Sequence, residues 1–351
     1  MAARRSGVRV PYPPLSRCGV LAELRRLAGP RSDHPVMGSE MIAWRNGRFL
    51  AASDLSLPVS DAGFVLGATV TEQLRTFRGV LFEPEAHGRR LADSLAITGI
   101  DLAAVCGDDQ APAGLTLPGL LKAAQTVASE NAAAGPSGGD LGVVIFVTPG
   151  DLAAQHDGSG GPPRAVIHSF PLAFRLWSAA YERGISLRRV RVQQVPDDCW
   201  PVRLKCRSRM HYFLADREAA TAEPGSRAIL EEADGSICET STANLIAARN
   251  GVLSPPLHAL EGVSLAYVHT LAARAGLSWQ PRRLVAADLA EADELLLTST
   301  PSCLLPATRF EGKPVGTGRP GPVYRQLLAA WSETVGLDIA AQAHQLAERP
   351  A

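Results

Sequence analysis

Three dipeptides constrain the fold of this chain more than any other feature: Asn46-Gly47, Asp234-Gly235 and Asn250-Gly251, each set between short apolar runs. A two-residue hairpin loop places its central residues in left-handed backbone conformations, and Asn-Gly or Asp-Gly adopts these at the lowest cost. The runs they join are 42–45 with 48–50, 227–232 with 236–239, and 244–248 with 252–253. Strands so closely linked pair antiparallel. Further strands are expected at 71–77, 143–147, 165–170, 185–195 and 294–298. Apolar residues at helical spacing predict helices over 84–99, 117–134, about 210–221, 262–275 and 322–335, with a further one near 176–184. Hairpins interspersed with helices indicate an α/β (α+β) chain with mixed sheets in two lobes, and exclude a doubly wound nucleotide fold.

The boundaries follow from composition. Residues 1–40 hold seven arginines among repeated prolines and read as a disordered arm, or as the product of a start codon called too early, with Met37 or Met41 then the functional start. A small N-terminal lobe spans 41–170, a linker 171–177, a larger lobe 178–337 and a tail 338–351. Lys plus Arg and Asp plus Glu each number 35, so the balanced charge argues against nucleic-acid or acidic-membrane partners. The longest apolar runs fall well short of the roughly 18 residues of a membrane span. Six cysteines without paired spacing predict reduced thiols and a cytoplasmic location.

Three familiar signatures are excluded. Gly316-Thr317-Gly318-Arg319-Pro320-Gly321 has the dinucleotide spacing, but Pro320 interrupts it and too little chain follows for a βαβ unit. The eight histidines lack ligand spacing, so no metal site is expected. Gly135-Pro136-Ser137-Gly138-Gly139 has the Gly-x-Ser-x-Gly spacing, but it falls in the Gly/Pro/Ala-rich connection that follows a helix and precedes a strand, the reverse of the strand–turn–helix order a nucleophile elbow needs. What remains is Lys205, flanked by Arg203, Arg207 and Arg209, and Glu239 in the strand-like segment that follows its helix. Neighbouring cations lower a lysine's pKa and make it a competent imine-forming amine.

Lys205 and Glu239 have company in order along the chain. The pieces are Asn46-Gly47, Asp61-x-Gly63-Phe64-x-x-Gly67, Thr71-Glu72-x-x-Arg75, His87-x-x-Arg90-Leu91-x-x-Ser94, Leu204-Lys205 and Ala215-x-x-Glu218-Ala219. They continue with Glu239-x-x-x-x-Asn244, Leu260-x-Gly262-Val263-Ser264 and Ala292-Asp293-Glu294 leading to Thr298-Ser299-Thr300. From about Trp44 to Trp331 the chain resembles the class IV pyridoxal-phosphate (PLP) enzymes: branched-chain aminotransferases, D-amino-acid aminotransferases and aminodeoxychorismate lyases.

The resemblance implies a two-lobed D-amino-acid-aminotransferase-like fold with the cofactor in the cleft, completed as a homodimer. It implies that Lys205 forms the Schiff base and shuttles the α-proton, and that Glu239 keeps the pyridine nitrogen protonated. Arg90 would clamp the phosphate; Val263 and Ser264 would meet it at a helix N-terminus, with Ser299 and Thr300 completing the cup. Leu260 would pack on the ring face. On the substrate side stand Phe64, Leu66, Thr71, His156 and Pro301, and Phe64, Val65 and Leu66 favour an apolar or branched-chain amino acid.

The departures fall mostly on that side. Arg209 stands where many relatives carry a tyrosine that meets the cofactor's phenolic oxygen. Ala154 stands two positions before His156, where the D-amino-acid branch has an arginine for the substrate carboxylate. The expected activity is transamination between an α-amino acid and a 2-oxo acid. A carbon–carbon lyase releasing pyruvate and a PLP-binding protein of little activity are the alternatives.

Overall fold

The computed structural model describes residues 40–107, 111–134 and 139–347. The arginine-rich arm up to residue 39 and most of the 134–140 connection lie outside the described residues. The first sheet contains β1 (Ile42–Arg45), β2 (Arg48–Ala51), β3 (Val70–Phe77), β4 (Val80–Leu81), β5 (Leu141–Thr148) and β6 (Arg164–Pro171). Their order is β2-β1-β6-β5-β3-β4, and every pairing is antiparallel, which corrects the expected mixed sheet for this lobe. The Asn46-Gly47 turn behaves as its sequence requires, with φ of 48° and 96° and Arg45 opposite Arg48. Helices α1 (Pro84–Thr98) and α2 (Leu117–Ala134) cover the sheet, burying Leu91, Leu95, Leu120, Ala124 and Val127 against Leu74, Val143 and Ile145.

The second sheet is mixed. It contains β7 (Ile185–Arg189), β8 (Arg227–Glu231), β9 (Ile237–Thr240), β10 (Asn244–Arg249), β11 (Val252–Ser254), β12 (Ser278–Trp279), β13 (Glu294–Ser299), β14 (Cys303–Phe310) and β15 (Lys313–Pro314). The order is β12-β11-β10-β13-β14-β7-β8-β9, with β7 parallel to both β14 and β8. Strand β9 also pairs back onto β10 through Glu239 and Asn244, so six strands close into a ring. Helices α3 (Met210–Ala222), α4 (Val263–Arg274), α5 (Pro322–Val335) and α6 (Ile339–Ala347) pack around it. The core here holds Leu245, Leu296, Leu305, Phe310, Leu327 and Trp331.

Four expectations change. The strand expected over 185–195 ends at Arg189, although the Gln194 N–H still donates to the Glu231 carbonyl. The helix expected near 176–184 is only a turn at Phe174–Leu176 and a short helix at Ala180–Arg183. Asp234-Gly235 lies inside a five-residue connection, because Glu231 faces Ile237, and Asp234 accepts from the Ser236 N–H rather than forming a two-residue loop. Of the stretch read as a tail, residues 339–347 fold as α6, which buries Ile339 and Ala343, and 348–351 lie outside the described residues. Leu172 and Phe174 of the expected linker are likewise buried in the larger core.

The glycine run excluded as a nucleotide motif has a structural explanation. The Glu294 carboxylate on β13 accepts the Val323 and Tyr324 N–H groups at 2.8 and 2.9 Å, capping α5 from another element. A Cβ on Gly321 would lie 2.1 Å from the Glu294 carboxyl carbon, so glycine is required for that approach. Glu294→Ala leaves two helix-end donors without their acceptor and should cost about 1–3 kcal/mol, read as a lower midpoint in denaturant unfolding.

Candidate active site

Lys205 is fixed by its backbone. Its carbonyl accepts the Thr71 N–H at 3.0 Å, its own N–H donates to Ser94 Oγ at 3.2 Å, and the Arg207 N–H donates to the Thr69 carbonyl at 2.9 Å. Ser208 Oγ adds a bond to the Gly67 carbonyl at 2.8 Å. This segment thus rides on the start of β3 and on α1, while its side chain faces a pocket bordered by the second sheet. The amine makes no hydrogen bond or ion pair among the described residues. Burial lowers its pKa to about 8; Glu72 opposes the shift, and the charges of Arg90, Arg209 and Arg207 assist it.

Glu239 sits at the closure of the ring, opposite Asn244, and is 5% exposed. Tyr212 Oη donates to its Oε1 at 2.8 Å, Gln194 Nε2 donates to the same oxygen at 3.2 Å, and Asn244 Nδ2 donates to Oε2 at 3.2 Å. Burial pushes its pKa up, while the Tyr212 hydrogen bond and the Arg209 charge pull the other way. A carboxylate held in this balance is well suited to a cationic N–H partner.

The other end of the pocket suits an anion. The N-terminus of α4 has no capping side chain on Gly262, and Ser264 is buried beside it. A Cβ at Gly262 would fall 1.9 Å from Asn244 Oδ1, so the turn into the helix is as tight as glycine permits. Ser299 and Thr300 line the same end, where the buried Thr298 hydroxyl lacks a partner among the described residues. Arg90 forms a bidentate pair with Glu72, both contacts at 2.8 Å, and Nη1 donates to the Glu261 carbonyl at 2.9 Å. Burial pushes the Glu72 pKa up, but Arg90 and His87 outweigh it and hold the carboxyl at about 2. An uncapped helix end, hydroxyls, an arginine, a free amine and a buried acid together fit a phosphorylated pyridine aldehyde.

Of the residues expected at the site, Arg90, Lys205, Arg209, Glu239 and Leu260 line this pocket. Val263, Ser264, Ser299, Thr300 and Pro301 line it as well. Four do not. Phe64 is exposed, and Leu66 faces an outer groove bordered by Arg209 and Trp200. Thr71 is buried in the first sheet with its hydroxyl on the Ile145 carbonyl. His156 is exposed and bonded to Asp157. The sequence reading missed Tyr212 and Gln194. Tyr212 lies one helical turn after Arg209, and that spacing was a usable signal; the guanidinium lies 4.5 Å over its ring and donates to the Ser241 carbonyl. Gln194 lies outside any strand and gave no signal.

The Amino-transferase class IV family matches residues 69–310. The D-alanine aminotransferase of Bacillus licheniformis is 26% identical over 295 residues, covering 83% of this chain and 95% of its own. Among solved structures, the branched-chain amino acid aminotransferase of Escherichia coli aligns with a TM-score of 0.74 at 22% identity, covering 85% of this chain and 94% of that one. A second branched-chain amino acid aminotransferase, solved with pyridoxamine 5'-phosphate, aligns with the same TM-score of 0.74 at 21% identity, over 86% of this chain and 96% of that one. The branched-chain aminotransferase of the archaeon Thermoproteus uzoniensis, solved with norvaline, aligns with a TM-score of 0.71 at 21% identity, over 87% and 97%.

The reactivity of Lys205 toward an amine-directed aldehyde should rise with pH through a midpoint near 8 and level off above it. Removing a nearby positive charge favours the protonated amine, so Arg209→Gln should move that midpoint upward. An unmoved midpoint would show that the Arg209 charge does not reach the amine.

Proposed function

This chain belongs to the class IV aminotransferase family, and from that premise we propose that it moves the amino group of an α-amino acid with an apolar side chain to a 2-oxo acid. It is a pyridoxal 5'-phosphate-dependent aminotransferase, and its substrates are small amino and 2-oxo acids. The observation that carries the residue assignment is the unpartnered, pKa-lowered amine of Lys205 in one pocket with buried Glu239. When bound, the cofactor supplies a protonated ring that withdraws electrons from the substrate's α-carbon.

Lys205 Nζ would hold the cofactor through its aldehyde carbon and, when free, would take the α-proton and return it; a pKa near 8 suits both tasks at neutral pH. Glu239 holds a proton on the ring nitrogen, and Tyr212, Gln194 and Asn244 fix that carboxylate in place. The α4 N-terminus with Ser264, Ser299, Thr300 and Arg90 holds the phosphate, and Leu260 closes one face of the ring. Arg209 has no carboxylate partner among the described residues, and this reading sets it against the phenolic oxygen.

The apolar preference no longer rests on Phe64 and Leu66. It rests on Val195, Trp200, Val202 and Leu204, which line the pocket beside Lys205 and Glu239. A second copy of the chain covers the exposed apolar face of Leu66, Met210 and Phe213 in this reading, since such a face at the mouth of a site is costly to leave in water.

Half-reactions of the PLP-loaded protein with L- and D-forms of valine, leucine, alanine, aspartate and glutamate test the activity. An apolar donor should convert the internal yellow absorbance to the pyridoxamine form, fastest among the branched or small apolar donors. Aminodeoxychorismate is added as a further substrate, and pyruvate released from it without that conversion would move the chain to the lyases. Phe213→Asp should turn a dimer into monomers in sedimentation, and a wild-type monomer at micromolar concentration would overturn the dimer.

A further inference from the structure

Arg75 is the buried cation that the roles above leave unused. It lies on β3, is 1% exposed, and is among the largest fully buried side chains of the chain. Burying a guanidinium is costly unless its donors are met, and a group retained at that cost has partners worth identifying. Nη1 donates to the Pro301 carbonyl at 2.9 Å and to Cys303 Sγ at 3.2 Å. Nη2 donates to Gln342 Oε1 at 3.2 Å, and Nε to the Thr76 carbonyl at 3.2 Å. The plane of the group lies 3.9 Å over the Phe77 ring. Its one ion pair among the described residues is a long one, to Asp140 at 3.8 Å. Asp140 in turn accepts from Gln342 Nε2 at 2.6 Å and from Thr76 Oγ1 at 2.9 Å.

These contacts converge on the back of the turn between β13 and β14, whose front residues Ser299, Thr300 and Pro301 line the pocket. The turn is not relaxed. Cys303, a buried non-glycine residue, holds φ at 57°, a conformation that persists only where the surroundings impose it. Tyr181 Oη donates to the Ser302 carbonyl at 2.8 Å, and the Ser299 and Ser302 hydroxyls meet at 2.9 Å. With Arg75 on the Pro301 carbonyl, two successive carbonyls of the turn are drawn backward. In a trans peptide C=O and N–H point in opposite directions, so each backward carbonyl turns the next N–H the other way.

We propose that Arg75 is a positioning residue for the phosphate end of the cofactor site: it fixes the Ser299–Pro301 turn from behind and ties it, through Gln342, to α6. This rests on the cofactor assignment above. The helix that the sequence suggested was a tail is thereby wired to the pocket, although it contributes no lining residue. The chemistry involved is recognition of a phosphate monoester, and Arg75 acts on it only through the turn.

The test compares binding of PLP and of pyridoxal, which lacks the phosphate, to apo-protein by absorbance. Wild type should prefer PLP strongly. Arg75→Met and Gln342→Ala should each lose about tenfold or more in PLP affinity with little change for pyridoxal. Arg75→Lys, which can still reach one carbonyl, should recover part of the loss. Gln345→Ala, on the exposed side of the same helix, should behave as wild type. A parallel loss for both ligands would reduce Arg75 to a general fold support and overturn the proposal, as would an unchanged preference in both variants. Wild type binding neither ligand would instead overturn the cofactor assignment. Because Gln342→Ala removes only a half-buried amide, it keeps the test informative if Arg75→Met does not fold.

Discussion

The single bridge between Glu239 and Asn244 governs the geometry of this molecule's site. It is the point at which β9, already paired with β8, returns to β10 and closes six strands of the second sheet into a ring. Closure removes a sheet edge, and at that seam it forces two polar side chains inward with too little water to satisfy them. The protein answers with its own donors from three elements: Tyr212 from α3, Gln194 from the segment after β7, and Asn244 from β10 itself. Asn244 Nδ2 also reaches the Leu260 carbonyl at 2.8 Å, which links the seam to the turn that starts α4. Acid and anion end are therefore held by one side chain.

Charge is arranged in the same economical way. Arg90 could be the strongest cation of the pocket, yet both of its outer contacts are already met by Glu72, itself bonded to His87 at 2.7 Å. The pair is close to neutral as a unit, and it presents guanidinium edges without a full uncompensated charge. Lys205 and Arg209 are different. Neither has a carboxylate partner among the described residues, so an incoming anionic ligand meets cations whose desolvation has not been offset by the protein. Electrostatic pull toward the pocket is thereby concentrated near Lys205 and Arg209 and not at Arg90.

Much of this was legible from residue order. Lys205, Glu239, Arg90 and Ser264 lie in local motifs whose contacts are set by the strand, turn or helix start carrying them, so recognising the motif locates the side chain. The hairpins at Asn46-Gly47 and Asn250-Gly251 were legible for the same reason, since the loop conformation is encoded in two residues. Strand β14 was not. It contains Pro306, which reads as a break, and it is tolerated because the parallel pairing with β7 begins one residue later, at Ala307. Helix α6 was missed because it is a single Ala-rich amphipathic stretch close to the chain end; only its burial against the core makes it stable, and burial is a tertiary property.

The substrate half was illegible for a deeper reason. The residues proposed to hold the cofactor come from short motifs, whereas the walls beside Lys205 come from residues that share no periodicity: Val195, Trp200 and Val202 belong to a segment that is neither strand nor helix. The residues singled out in the sequence, Phe64, Leu66 and His156, are exposed at the surface of one chain. Exposed apolar side chains bordering a groove that shares Arg209 with the cofactor pocket are energetically incomplete. An assembled enzyme offers them a way to be both buried and useful, by packing against a second copy at the mouth. If the proposed dimer forms, the specificity of this chain is written in the surface it would show to a second copy as much as in the pocket it builds alone, and single-chain spacing could not have revealed it.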